Sequence, residues 1–145
     1  MEDTCVFCDG KIEKYFIKKF EYWGVYLHEN QYNLGKLRVA LNRHGPEEII
    51  ELNDQEWDEL KTVLERISKV LKSLYEYDVM DYTVLQNEDR NHINIQLIPR
   101  YVDARVVHGE EFKDEFFGRF PFPVAKKDVD GKTLLKIKED IKKAL

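Results

Sequence analysis

Asn91-His92-Ile93-Asn94-Ile95-Gln96-Leu97-Ile98-Pro99-Arg100 alternates polar and apolar residues from His92 to Leu97. In an extended strand this puts His92, Asn94 and Gln96 on one face and Ile93, Ile95 and Leu97 on the other. The pattern admits two readings. One is a half-exposed strand with a polar outer face. The other is a functional row of hydrogen-bonding side chains. The neighbouring sequence weighs toward the second.

Just upstream, Asp81 to Asn87 alternates as well, with Tyr82, Val84 and Gln86 opposite Thr83 and Leu85. The polar turn Glu88-Asp89-Arg90 joins the two stretches, so the sequence predicts a hairpin. Before it, Asn53 and Glu56 stand at capping-box spacing, with Leu52 and Trp57 at staple spacing around them. Trp57, Leu60, Leu64, Ile67, Leu71 and Leu74 then recur at steps of three and four. The spacing predicts an amphipathic helix from about Asp54 to Leu74. Pro46 suits the first position of a short helix through Leu52.

Further out, Leu37, Val39 and Leu41 alternate with Lys36, Arg38, Ala40 and Asn42, which predicts a strand with one buried face. Asn33-Leu34-Gly35 reads as the turn before it. Lys14 to Glu29 is rich in β-forming residues and reads as one or two strands broken at Trp23-Gly24. Past Arg100, Phe112, Phe116, Phe117, Phe120 and Phe122 form an aromatic cluster, read as a segment laid over the core. Leu134, Ile137, Ile141 and Leu145 predict a terminal helix capped by Asp130. One long helix between strand groups favours an α+β fold with an antiparallel sheet over βαβ units.

The chain has 145 residues, which suits one compact domain. Its net charge is −5, and no stretch is basic enough for an extended nucleic-acid surface. No apolar run is long enough to span a membrane. Met1-Glu2-Asp3-Thr4 has neither the basic nor the apolar region of a secretory signal. The expected location is the cytoplasm, where thiols stay reduced. Cys5-Val6-Phe7-Cys8 then offers two thiolates at a spacing zinc uses. A redox pair would need a thioredoxin-like setting that is not visible here, and two small buried residues are the remaining reading. A four-coordinate site needs two further ligands from His28, His44, His92 and His108, and spacing does not choose among them.

Four stretches in order give the chain a resemblance to the histidine-triad (HIT) superfamily of nucleotide hydrolases, nucleotidyltransferases and phosphorylases. They are Cys5-x-x-Cys8; Gln31-Tyr32-Asn33-Leu34-Gly35-Lys36-Leu37, similar to the family turn Pro-Tyr-Asn-x-Gly-His-Leu; Asn42-Arg43-His44 with Glu51 to Glu56; and His92 to Arg100, similar to His-φ-His-φ-His-φ-φ followed by Pro-Arg. The resemblance covers Cys5 to about Arg100. It implies a HIT-like domain over 1–100, with a bent antiparallel sheet of about five strands and one long helix packed on it. Residues 101–145 are then a C-terminal extension packed on the same domain.

The resemblance also assigns residues. The Pro99-Arg100 anchor puts His92 first in the triad, Asn94 at the nucleophile position and Gln96 third. Cys5, Cys8, His44 and His92 match the ligands of zinc-carrying members, which implies a structural zinc. His28 stands where the family often has a ribose-contacting Asp or Asn. The strand of Leu37 and Val39 would line the nucleotide pocket together with Asn94 and Gln96. Homodimers are common in the family. The conflict is at Asn94: a carboxamide nitrogen has no free lone pair, so it forms no covalent intermediate. Gln96 can still donate to an oxyanion. Lys36 stands in place of the family histidine. These features imply a zinc-binding, nucleotide-binding protein without covalent catalysis. A noncovalent nucleotide hydrolase or transferase and a non-catalytic interaction module are the alternatives.

Overall fold

The computed structural model describes residues 5–86, 92–119 and 125–145. The turn Glu88-Asp89-Arg90, Asn91, Phe120 and Phe122 lie outside those residues. Five strands form one antiparallel sheet: β1 (Phe16–Lys19), β2 (Trp23–Leu27), β3 (Leu37–Leu41), β4 (Val79–Thr83) and β5 (Asn94–Arg100), in the order β1-β2-β3-β5-β4. Helix α1 (Asp54–Tyr75) covers one face. A short hairpin, β6 (Arg105–Val107) and β7 (Glu110–Phe112), and helix α2 (Gly131–Ala144) complete the α+β fold. Sequence periodicity did not reveal that hairpin, because three-residue strands are too short to show a period.

The alternation of the deciding stretch is realised as expected. Ile93, Ile95 and Leu97 are buried and meet Val39 and Leu37 of β3 in one core with Val25, Leu27 and α1. The Asn53–Glu56 capping box forms in both directions, with Asn53 Oδ1 accepting the Glu56 N–H at 2.9 Å. Gly35, at φ +83°, turns the chain into β3. A Cβ there would sit 3.2 Å from both Leu71 and Tyr75, so the helix packs directly on this turn.

Several expectations change. The buried stripe of α1 runs through Leu60, Val63, Ile67, Leu71 and Tyr75, while Trp57 is 40% exposed and Leu74 38%. The helix start is rolled so that Glu56 faces inward. Its carboxylate takes Arg43 at 2.5 and 3.1 Å, and its carbonyl accepts the Trp23 indole N–H at 2.8 Å. The break between β1 and β2 falls at 20–22, not at Trp23-Gly24. There the Glu59 carboxylate accepts the backbone N–H groups of Glu21, Tyr22 and Trp23 at 2.6–3.1 Å, which holds the turn. The helix after Pro46 shrinks to a single 3-10 turn, Ile49–Glu51. β4 begins at Val79 and ends at Thr83, so Val84 and Leu85 are left exposed beyond it. Of the aromatic cluster, Phe112 enters the core, whereas Phe116 and Phe117 are exposed. Asp130 occupies the N-cap position of α2 without a side-chain cap bond.

The C-terminal segment is tied to the sheet by one buried cation. Arg100, at the end of β5, donates to Asp114 at 2.6 and 3.2 Å, to Asp81 at 2.9 Å and to the carbonyls of Phe116 and Arg119. Ile137 and Ile141 of α2 join the same core as α1. Among the described residues, no helix is long and apolar enough to cross a membrane.

Candidate functional site

Three loops and one strand converge at one end of the sheet. Cys5 and Cys8 sit on a tight turn in which the Cys5 carbonyl accepts the N–H groups of Cys8 and Asp9. Asn42-Arg43-His44 leaves β3. Asn42 Nδ2 donates to the carbonyls of Phe20 and Glu21, both at 3.0 Å, and Arg43 is locked to Glu56. Those two anchors hold His44 in place. His92 immediately precedes β5.

The ligand atoms of Cys5, Cys8, His44 and His92 all lie within 4.8 Å of one another. Cys5 Sγ is 3.3 Å from His92 Nδ1, Cys8 Sγ is 3.3 Å from His44 Nδ1 and 3.6 Å from His92 Nδ1, and the two Nδ1 atoms are 3.0 Å apart. A tetrahedral zinc, with bonds of about 2.3 Å to sulfur and about 2.0 Å to nitrogen, would set its ligand atoms roughly 3.3–3.8 Å apart. The donor set and the spacing therefore fit such an ion. The tautomer fits as well. His92 Nε2 lies 2.6 Å from the Leu41 carbonyl, which can only accept, so Nε2 carries the proton and Nδ1 keeps its lone pair toward the cluster. Burial lowers the His92 pKa and favours that neutral ring. His28 and His108, the other two candidates, are elsewhere: His108 pairs with Asp140 at 2.6 Å.

Beyond this cluster the polar face of the sheet continues along β3 and β5. The register pairs Ala40 with Asn94 and Arg38 with Gln96. Asn94 is half-buried, and its amide donates to the His92 carbonyl at 2.9 Å. Leu37 and Val39 point the other way. Both are fully buried in the core, so their side chains do not line a pocket with Asn94 and Gln96. Period-2 geometry puts Lys36, Arg38 and Ala40 there instead. This parity was readable in the sequence once a strand was assigned.

Gln96 lines a cleft of about 460 Å³ together with His28, Glu29, Asn30, Lys36, Leu85 and residues 126–128. Gln31 shapes its rim: its side chain donates to the carbonyls of His28 and Lys36 at 2.8 and 2.9 Å and accepts the Gly35 N–H at 2.8 Å. Arg38 grips Glu29 with two bonds, 2.5 and 2.9 Å, and reaches His28 Nε2 at 3.0 Å. Burial, with Arg38 and Lys36 close by, pushes the His28 pKa down to about 3. Glu29 falls to about 2 despite its burial, held there by the Arg38 hydrogen bonds. Lys36 is only 3% exposed, and burial lowers its pKa to about 8. Sequence reasoning named His28 and Gln96 but not Arg38, Glu29, Lys126 or Lys127, whose grouping depends on chain segments far apart in order.

No family model and no curated protein matches this sequence. Solved structures do match in fold. The C. elegans NitFhit protein superposes with a TM-score of 0.65 at 15% identity; the alignment covers 91% of this chain and 27% of NitFhit. A hypothetical histidine triad nucleotide-binding protein of Sulfolobus tokodaii gives 0.67 at 19% identity, covering 97% and 91% of the two chains. A Zn-bound histidine triad family protein of Mycobacterium smegmatis gives 0.66 at 15% identity, covering 97% and 92%.

Proposed function

The chain has the histidine-triad fold, and from that premise we propose that it is a zinc-stabilised nucleotide-binding protein without covalent catalysis. The observation that carries this reading is the split along one strand face. His92 turns its free nitrogen into a cluster of four soft and borderline donors, while Asn94, two residues on, offers only an amide. Zinc would supply a cross-link there. Cys5 and Cys8 would hold it on the N-terminal turn, His44 and His92 on the sheet, and its binding free energy would add to folding. The nucleotide would lie along the polar face with Asn94 and Gln96 against its phosphates and His28 at the far wall. Similarity in fold to a protein named as nucleotide-binding and to one named as Zn-bound supports the same reading.

Without a nucleophile at position 94, no nucleotidyl group can be held on the enzyme as a phosphoramidate. Residues 1–100 would carry this function and 101–145 would extend the domain. The reduced thiols suit the cytoplasm. The outer edge of β4, with Val79 and Tyr82 exposed, offers a surface for a homodimer.

Two measurements test the proposal. Elemental analysis of purified protein is expected to find one zinc per chain, lost in a Cys5→Ser, Cys8→Ser double variant. Calorimetry with AMP, GMP and nucleotide sugars is expected to find binding, with no radiolabel retained on the denatured protein. Radiolabel retained by the wild type would overturn the noncovalent assignment, and absence of binding to every nucleotide would overturn the function.

A further inference from the structure

We propose that Lys36 is the anchor of a phosphate-binding subsite in the Gln96 cleft, and that the ligand presents a phosphate monoester there. The inference rests on the nucleotide reading of the same face only for the identity of the organic remainder. Lys36 is more than nine-tenths buried. Among the described residues its backbone is fully engaged: the N–H donates to Asn33 at 3.1 Å, and the carbonyl accepts from His28 N–H and Gln31 Nε2. Among the described residues its Nζ has no hydrogen bond and no ion pair, whereas the other strongly buried carboxylates and guanidinium groups are paired. Arg100 has Asp114 and Asp81, and Glu56 has Arg43. A buried ammonium without a counter-charge is costly. A structure that keeps one at the wall of an open cleft is built to receive an anion.

The surroundings select the kind of anion. Arg38, whose planar fork suits a carboxylate, is already occupied by the Glu29 carboxylate through two bonds. The remaining donors around the cleft are Lys36, the Gln96 amide, Lys126 and Lys127, the last also paired with Glu110 at 3.0 Å. These are point charges and an amide, which suit a tetrahedral oxyanion approached from several sides. His28 stays neutral near pH 7, so it adds no competing charge. A phosphate alone does not fill about 460 Å³, and that volume falls in the range of small-molecule sites. The phosphate therefore arrives attached to something larger.

A lysine at position 36 puts a charge at the wall of the cleft. An imidazole at position 36 would be neutral when buried, whereas a lysine stays mostly protonated at pH 7 with a pKa of about 8. The groups facing it are His28, Glu29, Arg38, Lys126, Lys127 and Asp128 around the cleft. Arg100 and Asp114 face it across a small hollow that Asn33 also lines. Asp114 is saturated by Arg100 and by the N–H groups of Tyr101 and Phe116, so it does not neutralise Lys36.

The test uses the metal-loaded full chain, wild type, Lys36→Met and Lys36→Arg. Inorganic phosphate, acetate, AMP and adenosine are titrated by NMR at constant ionic strength, reading the Gln96 side-chain amide and the Lys36 ε-methylene. Phosphate is expected to bind where acetate does not, and AMP at least tenfold more tightly than adenosine. Saturation with phosphate is expected to raise the Lys36 pKa. Lys36→Met is expected to lose at least tenfold in affinity for both phosphate and AMP, with Lys36→Arg recovering part of it. Equal AMP affinity in wild type and Lys36→Met overturns this inference and leaves the nucleotide reading intact. Lys36-dependent phosphate binding with no preference for any nucleotide overturns the nucleotide reading and leaves the anion subsite. A wild type that binds neither phosphate nor AMP overturns both.

Discussion

The two ends of the polar sheet face treat polar side chains in opposite ways. At the β5 start, Cys5, Cys8, His44 and His92 each turn one ligand atom on the others, within 4.8 Å. At the Gln96 end, Lys36 is as deeply buried as His92, yet its charge meets no ion-pair partner among the described residues. One end is arranged to close on a small ion and the other to stay open. The first kind of site adds to stability, since its binding energy is folding energy. The second subtracts from it until a ligand arrives, as binding sites commonly do. Asn94 lies between the two and belongs fully to neither, its amide tied to the His92 carbonyl.

Removing the proposed metal is the largest perturbation of this contrast. Chelation, or Cys5→Ser with Cys8→Ser, is expected to cost several kcal/mol, less than the apparent ~10–16 kcal/mol with which structural sites bind zinc. Thermal unfolding with and without chelator reads it. An unchanged transition would mean that the closed end holds itself together without an ion. The α1 core is expected to keep a residual cooperative transition, because Leu60, Val63, Ile67 and Leu71 belong to a core cluster that does not include Cys5.

The open end carries the opposite sign. Lys36→Met is expected to raise stability at pH 7 by about 3 kcal/mol, from a pKa drop of 10.5 to about 8. The sign follows from proton counts. Between pH 8 and 10.5 the unfolded lysine binds more protons than the folded one, so wild-type stability rises with pH across that window. The advantage of the variant should therefore shrink as pH climbs through it. Denaturant melts at several pH values read both. A variant less stable than wild type at pH 7 would show that Lys36 is a packing residue, and the contrast between the two ends would vanish.

A smaller effect sharpens the open end from the acid side. His28 falls from 6.5 to about 3 on folding, so the unfolded state binds more protons between those values and stability declines as pH falls through the window. His28→Gln is expected to remove about 2–3 kcal/mol of the loss between pH 6.5 and pH 4.5. The same melts, repeated with chelated protein, separate this slope from that of the metal histidines. Glu29 adds a decline of its own below 4.5, as it loses the charge that pairs with Arg38.

Much of this was legible from residue order, and the misses have physical causes. The strand at His92 and the helix at Asn53 each carry a strong local signal, a strict period of two and a capping box. The four metal-type ligands came from matching a family pattern, since spacing did not choose among the histidines. The buried stripe on α1 lies one notch from the expected one because periodicity gives the width of an apolar face but not its centre. Burying Glu56 against Arg43 and the Trp23 indole rolled the helix and left Trp57 outside. Leu37 and Val39 share a strand with the cleft, but alternation sends their side chains to the core. The Arg100 network went unread because Asp81, Asp114, Phe116 and Arg119 are scattered along the chain.

The order of residues determined the strands, the long helix and the amide at position 94, because each depends on neighbours a few positions apart or on the chemistry of one side chain. Only the tertiary structure decided that no described residue pairs with Lys36, and that Arg38 is spent on Glu29 while Lys126 and Lys127 border the same cleft. Whether a charge is compensated depends on every group around it in space and on how much water remains. Distant segments supply both, and a linear reading does not bring them together.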